Sequence, residues 1–140
     1  MTKSEEQDIF KAIEILVSSL AEIRNFWDNY LKEEYQNGEF LHDRSYFNDL
    51  SAIARYLVDK YKKNETNEFA KLFVILEHIL STFDENTCSI ITVGLFESIQ
   101  TYKELDFYHG FDQWLKPVTK KWWDSSIDYS FGIDWKKQNG

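Results

Sequence analysis

Apolar residues recur at intervals of three and four through most of this 140-residue chain, and this spacing constrains its fold most strongly. Such spacing places apolar side chains on one face of a helix. In the first segment the residues that follow it are Ile9, Ile13, Leu16, Leu20, Ile23, Trp27, Tyr30 and Leu31. We therefore expect one long N-terminal helix over residues 5–36, with Ser4 and Gln7 as a capping box at its start and Asn37 and Gly38 as its stop.

Three further segments repeat this pattern: "SYFNDLSAIARYLVDKYKK", "FAKLFVILEHILSTF" and "NTCSIITVGLFESIQ". The breaks between them are short and polar, and Asn64 and Thr66 in the first break are candidate caps for the helix that follows. Helices joined by short connections pack antiparallel, so residues 46–101 should form helix pairs. The second of these segments is apolar on almost all sides, which predicts a central position.

The C-terminal part, residues 102–135, is rich in aromatic side chains. Pro117 suits the first turn of a last helix that ends near Ile127. Adjacent residues on a helix point about 100° apart, so we expect either Trp122 or Trp123 in the core and the other at the flank of the domain or at a partner. The residues here to which we assign structural roles are Trp114, Pro117, Trp122 and Trp123.

The composition agrees with one folded unit. At 43% hydrophobic and 17% aromatic residues, the chain is too apolar to remain disordered. Its length suits one domain with a genuine core. We expect residues 1–140 to form a single all-α domain, either a helical bundle or a HEAT-like stack of about six helices.

The stretch "IITVGLFESIQ" at residues 90–100 places a glycine and an acid in an apolar run. Its β-branched residues favour a strand by propensity, but its length and its helical apolar spacing favour a helix. Gly94 would then let a neighbouring helix approach closely, and we expect that helix to be the one carrying Leu76 and Leu80. Glu97 lies near the same face and is predicted to be a partly buried acid paired with a Lys or Arg.

No motif in the chain indicates catalysis, a metal site or a cofactor. The three histidines lack metal-binding spacing, and no phosphate-binding glycine loop or nucleophile motif is present. Cys88 is the single cysteine, so it is expected to be a buried thiol in a reducing compartment. The N-terminus does not resemble a signal peptide, and no apolar run is long enough for a membrane span. We expect a cytoplasmic protein that is not an enzyme.

Acidic residues dominate the first two thirds of the chain. The formal net charge is −8, and residues 1–45 hold 10 acids and 5 bases, whereas residues 101–140 hold 6 of each. Such a field repels nucleic acid and anionic membranes and accelerates encounter with a basic partner. Ordinary solubility is the other explanation, and charge alone favours it.

The two landmarks "GLFESIQ" and "WLKPVTKKWW", with "LSAIARYLVDKYKK" and "FAKLFVILEHIL", resemble small all-helical immunity proteins of bacterial contact-dependent growth inhibition and related polymorphic toxin systems. The resemblance covers roughly residues 46–128. It implies a protein that binds a cognate toxin in the cytoplasm and holds it inactive, and it supplies no catalytic residues. Toxins of these systems are commonly nucleases, often RNases, with basic surfaces.

From this resemblance we expect the chain to occlude the active site of a basic toxin nuclease, with no direct contact to nucleic acid or membrane. The candidate partner-binding residues lie at two predicted turns, where acids flank aromatic anchors: Glu33, Glu34, Tyr35, Glu39, Phe40, Asp43, Asp84 and Glu85. Three other functions stay open. They are an acidic nucleic-acid mimic, a helical scaffold or adaptor, and an enzyme with a polar pocket.

Overall fold

A computed structural model describes residues 2–35, 45–102 and 110–131 of the chain, with side chains as far as residue 127. Its regular elements in these ranges are all helical, which confirms the all-α single-domain bundle. The first four helices are α1 Lys3–Ser18, α2 Ala21–Glu34, α3 Tyr46–Lys62 and α4 Phe69–Thr82. Helix α5 runs over 85–100 as three consecutive segments, the middle one a π-helix: Glu85–Thr92, Val93–Glu97 and Ser98–Gln100. A 3₁₀ turn at Phe111–Gln113 precedes the last helix, α6 Pro117–Phe131.

The N-terminal segment is two helices and not the single helix expected over residues 5–36. Leu20 adopts an extended conformation between α1 and α2. The carboxylate of Glu68, which lies just before α4, accepts hydrogen bonds from the backbone N–H groups of Glu22 (3.2 Å) and Ile23 (3.4 Å) at the start of α2. A carboxylate at a helix N-terminus satisfies free N–H groups and complements the helix dipole. This contact from another part of the chain therefore supports the break.

The capping of α1 also differs from the expectation. The reciprocal capping box is formed by Thr2 and Glu5, each side chain bonding the other's backbone N–H, instead of by Ser4 and Gln7. Asn64 and Thr66 do not cap α4, whose N-cap residue is Glu68. Asn64 instead adopts a positive φ of 57° directly after α3. This left-handed conformation, which asparagine tolerates, ends the preceding helix.

The core lies between all six helices and also includes Phe111 of the 3₁₀ turn. Helix α4 packs against α1 and α6, as a central helix should, but its Val74 is 52% exposed, so one side of α4 faces solvent. The largest fully buried side chains come from several parts of the chain and are Trp27, Phe73, Phe96, Phe111 and Trp123.

The π segment of α5 contains Gly94, which packs against α3. A Cβ atom built on Gly94 would lie 2.5 Å from Leu50 Cδ1 and 2.8 Å from Leu50 Cβ. The expected close helix approach is therefore confirmed, but the neighbour is α3 and not the helix carrying Leu76 and Leu80. Glu97 is half-buried, as expected, and lies at the end of the same segment.

Helix α6 begins at Pro117, as predicted, and its first N–H groups are bound by α4. The carboxylate of Glu77 accepts from Val118 N (3.0 Å) and Thr119 N (2.7 Å). Trp123 is 1% exposed, whereas Trp122 is half-buried at the domain flank, which confirms the predicted division between the two indoles.

The indole of Trp123 stacks on Phe111 with ring centroids 5.7 Å apart. Trp114 packs edge-on against Phe69 at 4.9 Å. These contacts join the 3₁₀ turn and α6 to the core. None of the helices in the described ranges combines the length and the apolar character needed to cross a membrane.

Candidate functional site

A groove with a volume of about 440 Å³ runs between α2 and α3. It joins aromatic side chains to acidic ones, and we refer to it as the α2–α3 groove. Its lining residues are Phe26, Asn29, Tyr30, Glu33 and Glu34 of α2 and Ala52, Arg55, Tyr56 and Asp59 of α3.

Three aromatic rings lie along the α2–α3 groove. Phe26 and Tyr56 face each other across the two helices, with ring centroids 4.5 Å apart and planes inclined at 31°. Tyr30 stacks beside Phe26 at 6.2 Å. All three side chains are half-buried, so each ring combines packing against the core with access from the groove. Half-buried aromatic rings of this kind are common anchors at protein interfaces.

Acidic residues line both walls of the groove. Glu33 and Glu34 are exposed on α2, and Asp59 is exposed on α3, where its carboxylate lies 3.1 Å from Lys63 Nζ. Arg55 is the cationic residue in the lining. Because Lys63 balances the charge of Asp59, Glu33 and Glu34 are the carboxylates that suit the groove to a positively charged group.

A buried hydrogen-bond network fixes the C-terminal end of α2 to the start of α3. The hydroxyls of Tyr30 and Tyr35 both donate to Asp49 Oδ1 at 2.8 Å, and Asp49 is fully buried. Ser45 N donates to the Tyr35 hydroxyl at 3.3 Å. Burial first, and then the bonded carboxylate, raises the pKa of both tyrosines, so both hydroxyls stay protonated as donors. The network holds the backbone that carries Glu33.

Tyr35 was expected to be an exposed anchor for a partner, and this expectation is wrong. Only 6% of the residue is accessible, and its hydroxyl is engaged with Asp49. The physical reason is that the carboxylate of Asp49 needs buried donors, and Tyr35 supplies one of them. An acid at an apolar position of α3, directly before Leu50 and four residues before Ile53, was the sequence signal for such a network.

Three carboxylates outside the groove lining lie near Tyr56. Burial, followed by the nearby carboxylates of Glu22, Glu68 and Glu65, raises the pKa of Tyr56 to about 12. Lys60 Nζ lies 5.7 Å from the Tyr56 ring centroid and forms an ion pair with Glu65 at 3.0 Å. The Tyr56 ring thus already attracts one cation of this chain.

Two of the other predicted contact residues, Asp84 and Glu85, are not among the residues that line this groove. Asp84 and Glu85 are exposed at the start of α5, where the Asp84 side chain accepts from Thr87 N at 2.8 Å as the N-cap. This bond lowers the pKa of the Asp84 carboxyl. Glu39, Phe40 and Asp43 lie outside the described residues. Four lining residues were not predicted as contacts, because their sequence spacing indicated only helix faces: Phe26, Tyr30, Tyr56 and Asp59.

A second cleft, of about 430 Å³, lies between α5 and α6. It carries less charge than the α2–α3 groove. Its lining residues are Ser89, Thr92, Val93, Glu97, Trp122, Ser125 and Ser126. The π segment contributes Val93 and Glu97 from one side, and Trp122 faces them from α6. π segments inside helices are frequent at functional sites, but here the segment also serves the packing of Gly94 on Leu50.

The described part of the chain contains no group of three or more His, Cys, Asp or Glu residues that could hold a metal ion. Cys88 is buried, and its burial, together with Asp84 and Glu85, raises the pKa of the thiol. The thiolate form that reacts with electrophiles is therefore disfavoured.

Comparison with known proteins identifies a family but no function. No curated protein matches the chain. No solved structure matches it either. A family model described as a domain of unknown function, DUF7674, matches residues 13–130. This range includes the α2–α3 groove and the helix N-termini that Glu68 and Glu77 cap. The chain therefore belongs to the DUF7674 family.

Proposed function

We propose that this chain is an immunity protein that binds a basic bacterial toxin, preferably a nuclease of the RNase class, and blocks its active site. The observation that carries the proposal is the α2–α3 groove, where carboxylates flank half-buried aromatic rings. A nuclease must present cations to bind the phosphates of its substrate. Carboxylates on a rigid helical surface can bind those cations in place of the phosphates.

The proposed mechanism has an electrostatic step and a packing step. The net charge of −8 attracts a cationic partner over a distance and raises the association rate. Once the surfaces meet, the rings of Phe26 and Tyr56 provide apolar area that excludes water from the contact. Bound in this way, the protein stands in the path of the RNA and prevents cleavage without any chemistry of its own.

The experiment starts from the neighbouring genes. A reading frame for a large secreted protein immediately upstream would supply the test partner, namely its C-terminal domain. We expect that domain to co-purify with this chain and to stop cleaving RNA or DNA when the two are mixed. An active toxin domain that neither binds this chain nor loses activity would refute the proposal.

A charge-matched pair of variants tests whether the groove is the contact surface. The double variant Glu33→Gln, Glu34→Gln should lower the association rate at low salt by about tenfold. The control Glu6→Gln, Asp112→Asn makes the same change in net charge at exposed positions outside the groove lining and should have a much smaller effect. Glu85→Gln reports on the other predicted turn. Equal losses in the double variant and its control would mean that net charge alone matters.

The nucleic-acid mimic predicts a different outcome in the same assay. A mimic should inhibit several unrelated nucleic-acid-binding enzymes, because phosphate-like acids are recognised without regard to the partner's shape. An immunity protein should inhibit its own toxin and spare others, since specificity comes from complementary shape and charge together. The aromatic rings in the groove favour the second outcome.

A further inference from the structure

The α2–α3 groove combines the two features that distinguish a receptor for a cationic side chain from a merely acidic surface. Aromatic faces attract cations through their π electrons, and they do so more strongly where water is partly excluded. The half-buried rings of Phe26, Tyr30 and Tyr56 meet this condition. The exposed carboxylates of Glu33 and Glu34 stand beside them and can accept hydrogen bonds from a bound cation.

We propose that the α2–α3 groove receives an arginine side chain of the partner, with its guanidinium stacked on the Phe26–Tyr56 ring pair and hydrogen-bonded to Glu33 or Glu34. This inference rests on the proposed function, because it names the chemical group through which the basic partner is held.

The chain itself provides an internal precedent. Lys60 Nζ lies over the Tyr56 ring at 5.7 Å while it is ion-paired with Glu65. This is the same combination of a ring face and a carboxylate that we assign to the bound guanidinium. Lys60 itself is not among the residues that line the α2–α3 groove.

Arginine fits the groove better than lysine for two physical reasons. Its planar guanidinium stacks on aromatic rings and is more weakly hydrated than an ammonium group, so it enters a partly apolar groove at lower cost. Its fork of N–H donors can also bond a carboxylate with two parallel hydrogen bonds. An acidic side chain of the partner is disfavoured, since Glu33 and Glu34 outnumber the single lining cation Arg55. The third lining acid, Asp59, is already paired with Lys63.

The experiment uses the full chain and three short peptides. Each peptide has neutral, capped ends and one central residue, which is arginine, lysine or citrulline. Citrulline has nearly the shape of arginine but no charge. NMR titration at millimolar peptide concentrations would follow the ring protons of Phe26, Tyr30 and Tyr56.

We expect the arginine peptide to shift these ring resonances and to bind about three- to tenfold more tightly than the citrulline peptide, with lysine between them. Equal binding of arginine and citrulline, binding of lysine tighter than arginine, or shifts confined to other parts of the protein would each overturn the inference.

Two variants locate the bound group. Tyr56→Leu removes one ring face, and Glu33→Gln, Glu34→Gln removes two carboxylates at exposed positions where folding is not at risk. Each should weaken arginine-peptide binding about three- to tenfold. The control Glu6→Gln, Asp112→Asn should leave it unchanged. A control that weakens binding as much as the groove variants would overturn the inference.

The peptide assay separates this inference from the proposed function. If the chain neutralises its toxin but the arginine peptide does not bind the groove, the inference fails and the immunity function stands. If the arginine peptide binds the groove but the neighbouring toxin domain is neither bound nor inhibited, the immunity function fails and the groove serves another arginine-bearing partner.

Discussion

Replacing Gly94 by alanine has two opposite effects on the free energy of unfolding, and the size of each is known. Alanine in a helix interior is more stable than glycine by about 0.5–1 kcal/mol, because glycine loses more backbone entropy on folding. Against this, the new Cβ would lie 2.8 Å from Leu50 Cβ, and both atoms are fixed to their backbones. Carbon atoms prefer a separation of about 3.5–4.0 Å. Helices α3 and α5 would therefore have to move apart by about 1 Å.

This movement would disturb a contact around Leu50, which is fully buried. Overpacking of this kind typically costs about 1–3 kcal/mol, and the short distance between two fixed atoms places the cost near the upper value. After the helix-propensity gain is subtracted, Gly94→Ala should lower the free energy of unfolding by about 2 kcal/mol. For a chain of this size the melting temperature should fall by roughly 6–10 °C. Gly94→Leu should be more destabilising still.

Urea unfolding followed by circular dichroism measures this change. The pair Lys11→Ala and Lys11→Gly, at an exposed position in the middle of α1, gives the alanine–glycine difference without a packing term. The double variant Gly94→Ala, Leu50→Ala should lose less stability than the sum of its single variants, because the new methyl group fills part of the cavity left at Leu50. If Gly94→Ala is more stable than the native chain by the Lys11 difference, the close-packing argument is refuted.

The remaining predictions concern single side chains. Glu77→Gln should lower the free energy of unfolding by about 1–2 kcal/mol, because the neutral amide binds the α6 N-terminus more weakly; an unchanged urea midpoint would contradict this. In the same assay Asp49→Asn should lower the free energy of unfolding by about 2–3 kcal/mol and Tyr30→Phe by about 1–2 kcal/mol. Equal urea midpoints for the native chain and both variants would show that the buried network does not stabilise the fold. The pKa of Tyr56 should be about 12 in an ultraviolet titration, in a step that Tyr56→Phe removes. Because this folded value lies above the ordinary value of 10.0, the associated stability is fully present below pH 10 and is lost as the pH rises through about 12. The Cys88 thiol should react with a thiol reagent only when the protein unfolds, and fast reaction in native buffer would indicate local opening of α5.

The sequence was sufficient to predict helices, since their apolar spacing is a local property of the chain. Even the β-branched stretch at residues 90–100 was assigned correctly, because length and periodicity outweighed propensity. The break at Leu20 was missed for the same reason. Leu16, Leu20 and Ile23 continue the helical spacing across the break, and the carboxylate that caps α2 belongs to Glu68, more than forty residues further along the chain.

Contacts between helices were predicted less well, because a single sequence shows which face of a helix is apolar but not which helix covers it. Gly94 illustrates this limit, since its close contact was expected but was assigned to α4 instead of α3. The candidate site was predicted in part. Glu33 and Glu34 do line the groove, whereas the ring of Tyr56 reaches it from a helix whose register against α2 is decided by tertiary packing.

Helix α2 is attached at both ends by contacts that do not involve the side chains facing outward between them. Glu68 holds its first turn, and Asp49 holds the tyrosines near its last. The exposed groove residues of α2 are thus different from the groups that hold the helix in place, and Tyr30 is the residue that belongs to both sets. Positions such as Asn29, Glu33 and Glu34 can change without loosening either attachment, so this architecture allows a new binding specificity to evolve by a few surface substitutions at little risk to the fold.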